Sequence, residues 1–83
     1  MRYVYILRCA DNSLYCGQTT DLERRLREHN GDNKKSSKYL RTRRPVRLVY
    51  FEKHAGLSQA LKREAEIKRM KKSDKERLVM YNV

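Results

Sequence analysis

The sequence predicts an α+β domain in which a three-stranded sheet, a hairpin plus one further strand, is flanked by helices in the order β-β-α-β-α-α. Three observations carry that expectation. Two runs rich in β-branched and aromatic residues flank Ala10-Asp11-Asn12, a third such run follows the only proline, and capping signals open helical stretches near Thr20 and Ser73. Eighty-three residues leave room for one core, because a chain this short hides only about 60% of its extended surface on folding. Residues 1 to 83 are therefore expected to form one domain.

Residues 2 to 9 (Arg-Tyr-Val-Tyr-Ile-Leu-Arg-Cys) contain no breaker and read as the first strand, with Tyr3, Tyr5 and Leu7 on one side and Val4 and Ile6 on the other. Ser13 to Gly17 is the returning strand of the hairpin. A three-residue turn with Asn12 left-handed pairs Tyr5 with Gly17 and Leu7 with Tyr15, placing both tyrosines on one face, whereas a four-residue turn would split them. The first register is expected, and glycine opposite Tyr5 leaves room above the ring.

Thr20-Asp21-Leu22-Glu23 reads as a capping box and Asn30-Gly31 as a helix stop. At about 100° per residue, Leu22, Arg25, Leu26 and His29 share a stripe that should face the sheet, with Arg24, Arg27 and Glu28 pointing outward. An inward cation costs free energy unless it has a partner, lines a cleft or snorkels past its neighbours.

Residues 31 to 45 carry Lys34, Lys35, Lys38, Arg41, Arg43 and Arg44, interleaved with Ser36, Ser37 and Tyr39. That mixture suits contacts to backbone phosphates with one ring available for stacking, or else a solvated loop. The third strand, Val46 to Glu52, is expected to put Val46, Leu48 and Tyr50 on one face.

A second helix should run from Leu57 to about Lys71 with Ser58 as its N-cap. Ala60, Leu61, Ala65 and Ile67 span an arc of about 160° with Glu64 near its middle. A carboxylate centred on a core-facing stripe must find a cation, a metal or a proton. Glu66, by contrast, falls on the solvent side with Lys62, Arg63 and Arg69. Ser73-Asp74-Lys75-Glu76 is a further capping box, opening a short helix whose Leu78 and Val79 cover the end of the core.

Charge narrows the partner class. Lys and Arg number 21 against 10 Asp and Glu, a net charge of +11, which points to a phosphate-rich partner, with solubility as the alternative. No apolar run approaches the roughly 18 to 20 residues that cross a bilayer, and Met1-Arg2-Tyr3 does not open a signal peptide. The expectation is a cytoplasmic protein without membrane contact, assumed monomeric, with Cys9 and Cys16 reduced. Cys9, Cys16, His29 and His54 are too scattered in sequence to suit a structural zinc site.

Arg25, His29 and Glu64 are thus inward polar groups, and Tyr5 and Tyr15 share a sheet face. There is no serine-histidine-acid set, no glycine-rich phosphate loop and no pair of nearby carboxylates. One acid among cations and phenols fits phosphodiester cleavage assisted by one divalent metal, Mg²⁺ or Mn²⁺, with Glu64 as its ligand. Arg25 would hold phosphoryl oxygens with its planar fork.

Tyr3-Val4-Tyr5, then Tyr15-Cys16-Gly17, Arg25 eight positions after the glycine and His29 four further on together resemble the signature of the GIY-YIG nuclease superfamily. Tyr3 stands where the first triplet has glycine and Cys16 where the second has isoleucine. The resemblance covers nearly the whole chain and is to the small stand-alone bacterial branch. It implies an endonuclease in which Tyr5 and Tyr15 are the signature tyrosines, Arg25 clamps phosphate and Glu64 holds the metal. One tyrosine is then the general base, its pKa lowered by Arg25 and His29, or His29 is the base itself. The implied substrate is nucleic acid, with DNA favoured and repair or recombination intermediates in view. A non-catalytic nucleic-acid-binding module and a basic RNA-associated protein are the alternatives, and in both Lys34, Lys35, Arg41, Arg43 and Arg44 would matter more than the inward residues.

Overall fold

The computed structural model describes residues 1–81. Its elements are β1 (Arg2–Arg8), β2 (Leu14–Thr19), α1 (Leu22–Gly31), α2 (Lys38–Arg41), β3 (Arg47–His54), α3 (Leu57–Arg69) and α4 (Lys72–Tyr81). The order is the one expected, with the single helical turn α2 added inside the basic loop. Ser37 caps that turn by accepting from the Leu40 N–H, and Leu40 is fully buried.

Both strand pairings are antiparallel and the sheet order is β2-β1-β3, which makes β1 central and β2 an edge. Asn12 is left-handed with φ 70°, the Cys9 N–H donates to Ser13 O at 2.9 Å, and Tyr5 pairs with Gly17 and Leu7 with Tyr15. The register expected from the sequence is the observed one.

Alternation along β1 then feeds two cores. Val4 and Ile6 pack with Cys16, Ala60 and Ile67 beneath α3, and Leu78 and Val79 of α4 close that side as expected. Tyr5 and Leu7 pack with Cys9, Leu40 and Val46, with Leu22 and Leu26 of α1 against them. No side of β1 meets water along Val4–Leu7.

Several local expectations give way to longer-range contacts. Asp21, not Thr20, caps α1, its Oδ1 accepting from the Arg24 N–H at 3.1 Å. Gly56 stands at the N-cap of α3, without a side-chain bond, and Ser58 lies inside the helix. Glu76 does not close a capping box: its carboxylate takes both Arg8 guanidinium nitrogens, at 2.6 and 2.9 Å, and ties α4 to β1. Leu61 and Ala65 are exposed, so the buried stripe of α3 is narrower than expected and consists of Ala60 and Ile67 with half-buried Glu64 between them.

Tyr50 is the clearest departure. The β1–β3 register slips between Ile6 and Leu7, so that Leu7 pairs with Leu48 but Ile6 pairs with Tyr50. Val49 is the extra residue, and it reverses the faces of everything after it. Leu48 stays with the Tyr5 core while Tyr50 joins the Val4 core. Glu52 follows Tyr50 onto the α3 side, where Arg63 Nε and Nη2 each donate to it at 3.0 Å, His54 Nε2 lies 3.0 Å away and the Tyr50 hydroxyl donates. Burial works to raise the Glu52 pKa, but these partners outweigh it and hold the carboxyl below its usual range. Arg63, expected among the solvent-facing charges, is drawn inward by this carboxylate.

Candidate active site at the edge of the hairpin

The site is built outward from Tyr5, whose ring lies across Gly17 of the edge strand. A Cβ on Gly17 would sit 2.6 Å from Tyr5 Cζ, so only glycine lets the phenol reach past the backbone toward the open edge. α1 then lays His29 over it. The Tyr5 hydroxyl is 3.0 Å from His29 Nε2, and His29 Nδ1 is 3.4 Å from Ser36 Oγ. Ser36 donates in turn to the His29 carbonyl at 3.3 Å. Since the serine proton is committed to that carbonyl, its oxygen accepts from Nδ1–H, which leaves Nε2 to accept from Tyr5. Every buried side-chain polar atom among the described residues has a partner.

Electrostatics fixes the resting protonation. Burial pushes the Tyr5 phenol up to about 12, against the neighbouring Arg25 guanidinium that would lower it. Burial also depresses His29 to about 4, with the Arg25 charge adding to the effect. The expectation that Arg25 and His29 together lower the phenol is therefore corrected. Arg25 acts in the expected direction but loses to desolvation, and His29 is neutral near pH 7, so it contributes no positive charge.

Arg25 sits on the inward stripe with Leu22 and Leu26, as the periodicity requires, but its guanidinium is engaged. Nη1 donates to Glu28 Oε1 at 3.0 Å and to the Lys35 carbonyl at 2.8 Å. Glu28 was expected to face solvent. Instead it is largely covered and gathers Arg24 and Lys35 as well, at 3.8 and 3.9 Å. Burial would lower the Arg25 pKa, and Glu28 and Tyr5 more than offset it.

Tyr15 joins from β2. Its ring stands edge-on to His29, with centroids 5.6 Å apart, and lies nearly parallel to Tyr39 at 6.0 Å. The Arg43 guanidinium sits 3.8 Å over the Tyr39 ring. Tyr39 is therefore already engaged by Tyr15 and Arg43, so the free ring expected for stacking is absent.

The basic loop divides into fastened and free cations. Arg43 is fastened, donating to Asp11 Oδ2 at 3.1 Å and to the Tyr39 carbonyl at 2.7 Å. Arg44 clips the loop to α1 by donating to the carbonyls of His29 at 2.7 Å and Asp32 at 3.2 Å and to Asn33 Oδ1 at 2.9 Å. Lys34, Lys38 and Arg41 are exposed, and Lys35 leans only toward Glu28.

Glu64 stands apart from the phenol cluster. Helix α3 covers the opposite face of the sheet, where the Glu64 charge is the second influence, after burial, that pushes the Cys16 thiol up to about 12. Its side chain is 19% exposed and its ion-pair partner is Lys68 Nζ at 3.5 Å. The hollow that the sequence predicts around all five groups is thus two half-sites flanking β2. Tyr15 and Cys16 are consecutive on this edge strand and point to opposite faces, so Tyr5, Tyr15, Arg25 and His29 approach the edge from one side and Glu64 from the other. No group of three or more His, Cys, Asp or Glu side chains converges among the described residues, so any ion at Glu64 would have one carboxylate and take its other oxygens from solvent or substrate.

Sequence reasoning missed Ser36 and Glu28. Glu28 was findable, because it lies three residues after Arg25 on the same helix. Ser36 carried no signal, since only the folded loop brings it to His29.

Comparison with known proteins agrees with this architecture. The GIY-YIG catalytic domain pattern matches residues 1–77. The chain is 50% identical over 80 residues to the UPF0213 protein of Syntrophus aciditrophicus (strain SB), covering 96% of this chain and 91% of that protein. It is 53% identical over 76 residues to UPF0213 protein HQ_3675A of Haloquadratum walsbyi, covering 92% and 83%. It also resembles the solution NMR structure of UPF0213 protein BH0048 from Bacillus halodurans, with TM-score 0.61 and 40% identity over 99% of this chain and 87% of that one. No helix among the described residues is long and apolar enough to cross a membrane.

Proposed function

Because the chain belongs to the GIY-YIG nuclease family, whose catalytic-domain pattern matches residues 1–77, we propose that it is a metal-dependent endonuclease hydrolysing phosphodiester bonds in nucleic acid, with DNA as the substrate class. The observation that supports this most directly is the Tyr5–His29 contact of 3.0 Å, buried but reaching an open strand edge across Gly17. Tyr5 can take a proton from an attacking water while passing its own to His29 Nε2. No free phenolate is needed, so a phenol with a pKa of about 12 is not an obstacle. Ser36 holds the imidazole in the accepting tautomer. A phosphate beside Arg25 would counter the positive charge that helps depress His29, making the imidazole a better acceptor when substrate is present.

Arg25 contributes the clamp. Its fork is held by Glu28 and the Lys35 carbonyl, and a phosphate would replace these acceptors. Tyr15 packs against the imidazole and completes that wall of the site. Glu64 suits Mg²⁺ or Mn²⁺, since such ions keep several waters and bind through one or two carboxylates plus phosphate oxygens. When bound, the ion supplies charge neutralisation at the phosphate and the leaving oxygen.

The test is cleavage of nicked, branched and single-stranded DNA by the purified chain in Mg²⁺ or Mn²⁺. Glu64→Ala, Arg25→Ala and Tyr5→Phe should each lower the rate by about a hundredfold or more. Cleavage that persists unchanged in Glu64→Ala would sink the assignment. The engagement of Arg25 by Glu28 also supports a second reading, a module that binds nucleic acid without cutting it, and that reading predicts binding with no cleavage under any of these conditions.

A further inference from the structure

Resting on the nuclease reading, the inference concerns cations that the phenol cluster does not use. Lys72 and Lys75, in the first turn of α4, and Tyr39, in α2, line one hollow of about 270 Å³ with Asp11, Ser13 and Leu14. Leu14 opens the edge strand β2, and its neighbour Tyr15 belongs to the phenol cluster. The hollow therefore wraps around the same edge that Tyr5 and Tyr15 approach from one face and Glu64 from the other. Lys68 continues the row of ammonium groups beside Glu64.

Availability separates these lysines from the arginines of the loop. Arg43 and Arg44 are fastened to acceptors within the chain, whereas Lys72 is 56% exposed and its carboxylate partner, Glu76 Oε2, is 3.7 Å away. The acid in the hollow is already answered: Asp11 accepts from the Ser13 N–H and hydroxyl at 3.0 and 2.6 Å and from Arg43 Nε at 3.1 Å. Two flexible ammonium groups and a phenol beside an occupied carboxylate suit a phosphate held as a point charge. Leu14 precedes Cys16 by two residues, about 6.8 Å along a strand. A stacked nucleic-acid strand advances about 3.4 Å per phosphate, so this spacing corresponds to one or two nucleotides.

We propose that Lys72, Lys75 and Tyr39 form a phosphate subsite that grips the nucleic-acid backbone one to two nucleotides from the reacting phosphate, with α4 as the second wall of the substrate track. Fluorescence anisotropy with a labelled nicked DNA duplex, in EDTA to prevent cleavage, tests it. Lys72→Ala/Lys75→Ala should weaken binding about tenfold at low salt and flatten the slope of log K against log salt by about 1.8, two phosphates' worth. Lys72→Arg/Lys75→Arg should restore the slope. The charge-matched pair Lys53→Ala/Lys62→Ala, on β3 and the exposed side of α3, should leave it unchanged. Equal slopes for the two alanine pairs, with wild type still binding and cutting, would overturn the subsite and leave the nuclease reading standing. Wild type that neither binds nor cuts would remove both.

Discussion

Gly17 shows how far one residue constrains this site. Replacing it with alanine puts a methyl group into the Tyr5 ring, which cannot retreat because the ring is 3% exposed and packed on both sides. Gly17→Ala should destabilise by about 1–3 kcal/mol, read by thermal or urea denaturation, and weaken the Tyr5–His29 contact. His29 makes a pH-dependent contribution. Its folded pKa of about 4 lies below the unfolded value of about 6.5, so between these values the unfolded chain binds more protons. The associated stability is fully present above about pH 6.5 and is lost progressively as pH falls toward 4, by on the order of 3 kcal/mol. Urea midpoints across that window should fall steeply in wild type and much less in His29→Gln. At this scale much was legible in advance: the tyrosine pair, the inward Arg25 and the inward His29 all follow from periodicity. Ser36 was not legible, because a serine in a basic loop looks the same whether or not an imidazole arrives beside it.

Elements were easier to find than to bound. Each strand and each long helix lies where the apolar period puts it, but the caps of α1, α3 and α4 differ from the local motif. Glu76 explains why: a bidentate bond to Arg8 offers more than a surface capping box, so a contact across 68 residues overrides a signal within four. Glu76→Ala should loosen α4 and destabilise by about 1 kcal/mol, a modest figure because the side chain is one-third exposed. Hydrogen exchange should speed up in α4 ahead of the sheet, and uniform protection across both would contradict the anchoring role. β3 carries the other lesson. A period-2 reading assigns Tyr50 to the wrong face because the sequence has no mark at Val49 that announces an extra residue, and the error propagates to Glu52 and to Arg63, which follows it.

For the molecule as a whole, composition announced the charge and left its arrangement open. A net charge of +11 is spread over cations of two kinds, those such as Arg8, Arg44 and Arg63 that hold the fold together and those such as Lys34, Lys38 and Lys72 that face outward. Linear spacing cannot sort them, since the distinction depends on which acceptors the fold delivers. The same limit applies to Glu64. Its place between Ala60 and Ile67 was readable from the helical wheel, whereas its position across the sheet from the phenols depends on which face α3 covers.

The double-sided burial of β1 has an evolutionary corollary. With helices over both broad faces, none of Val4 to Leu7 can vary without disturbing a core, so innovation in what this scaffold recognises is confined to its rims, where an altered side chain can meet a new partner and leave the interior intact.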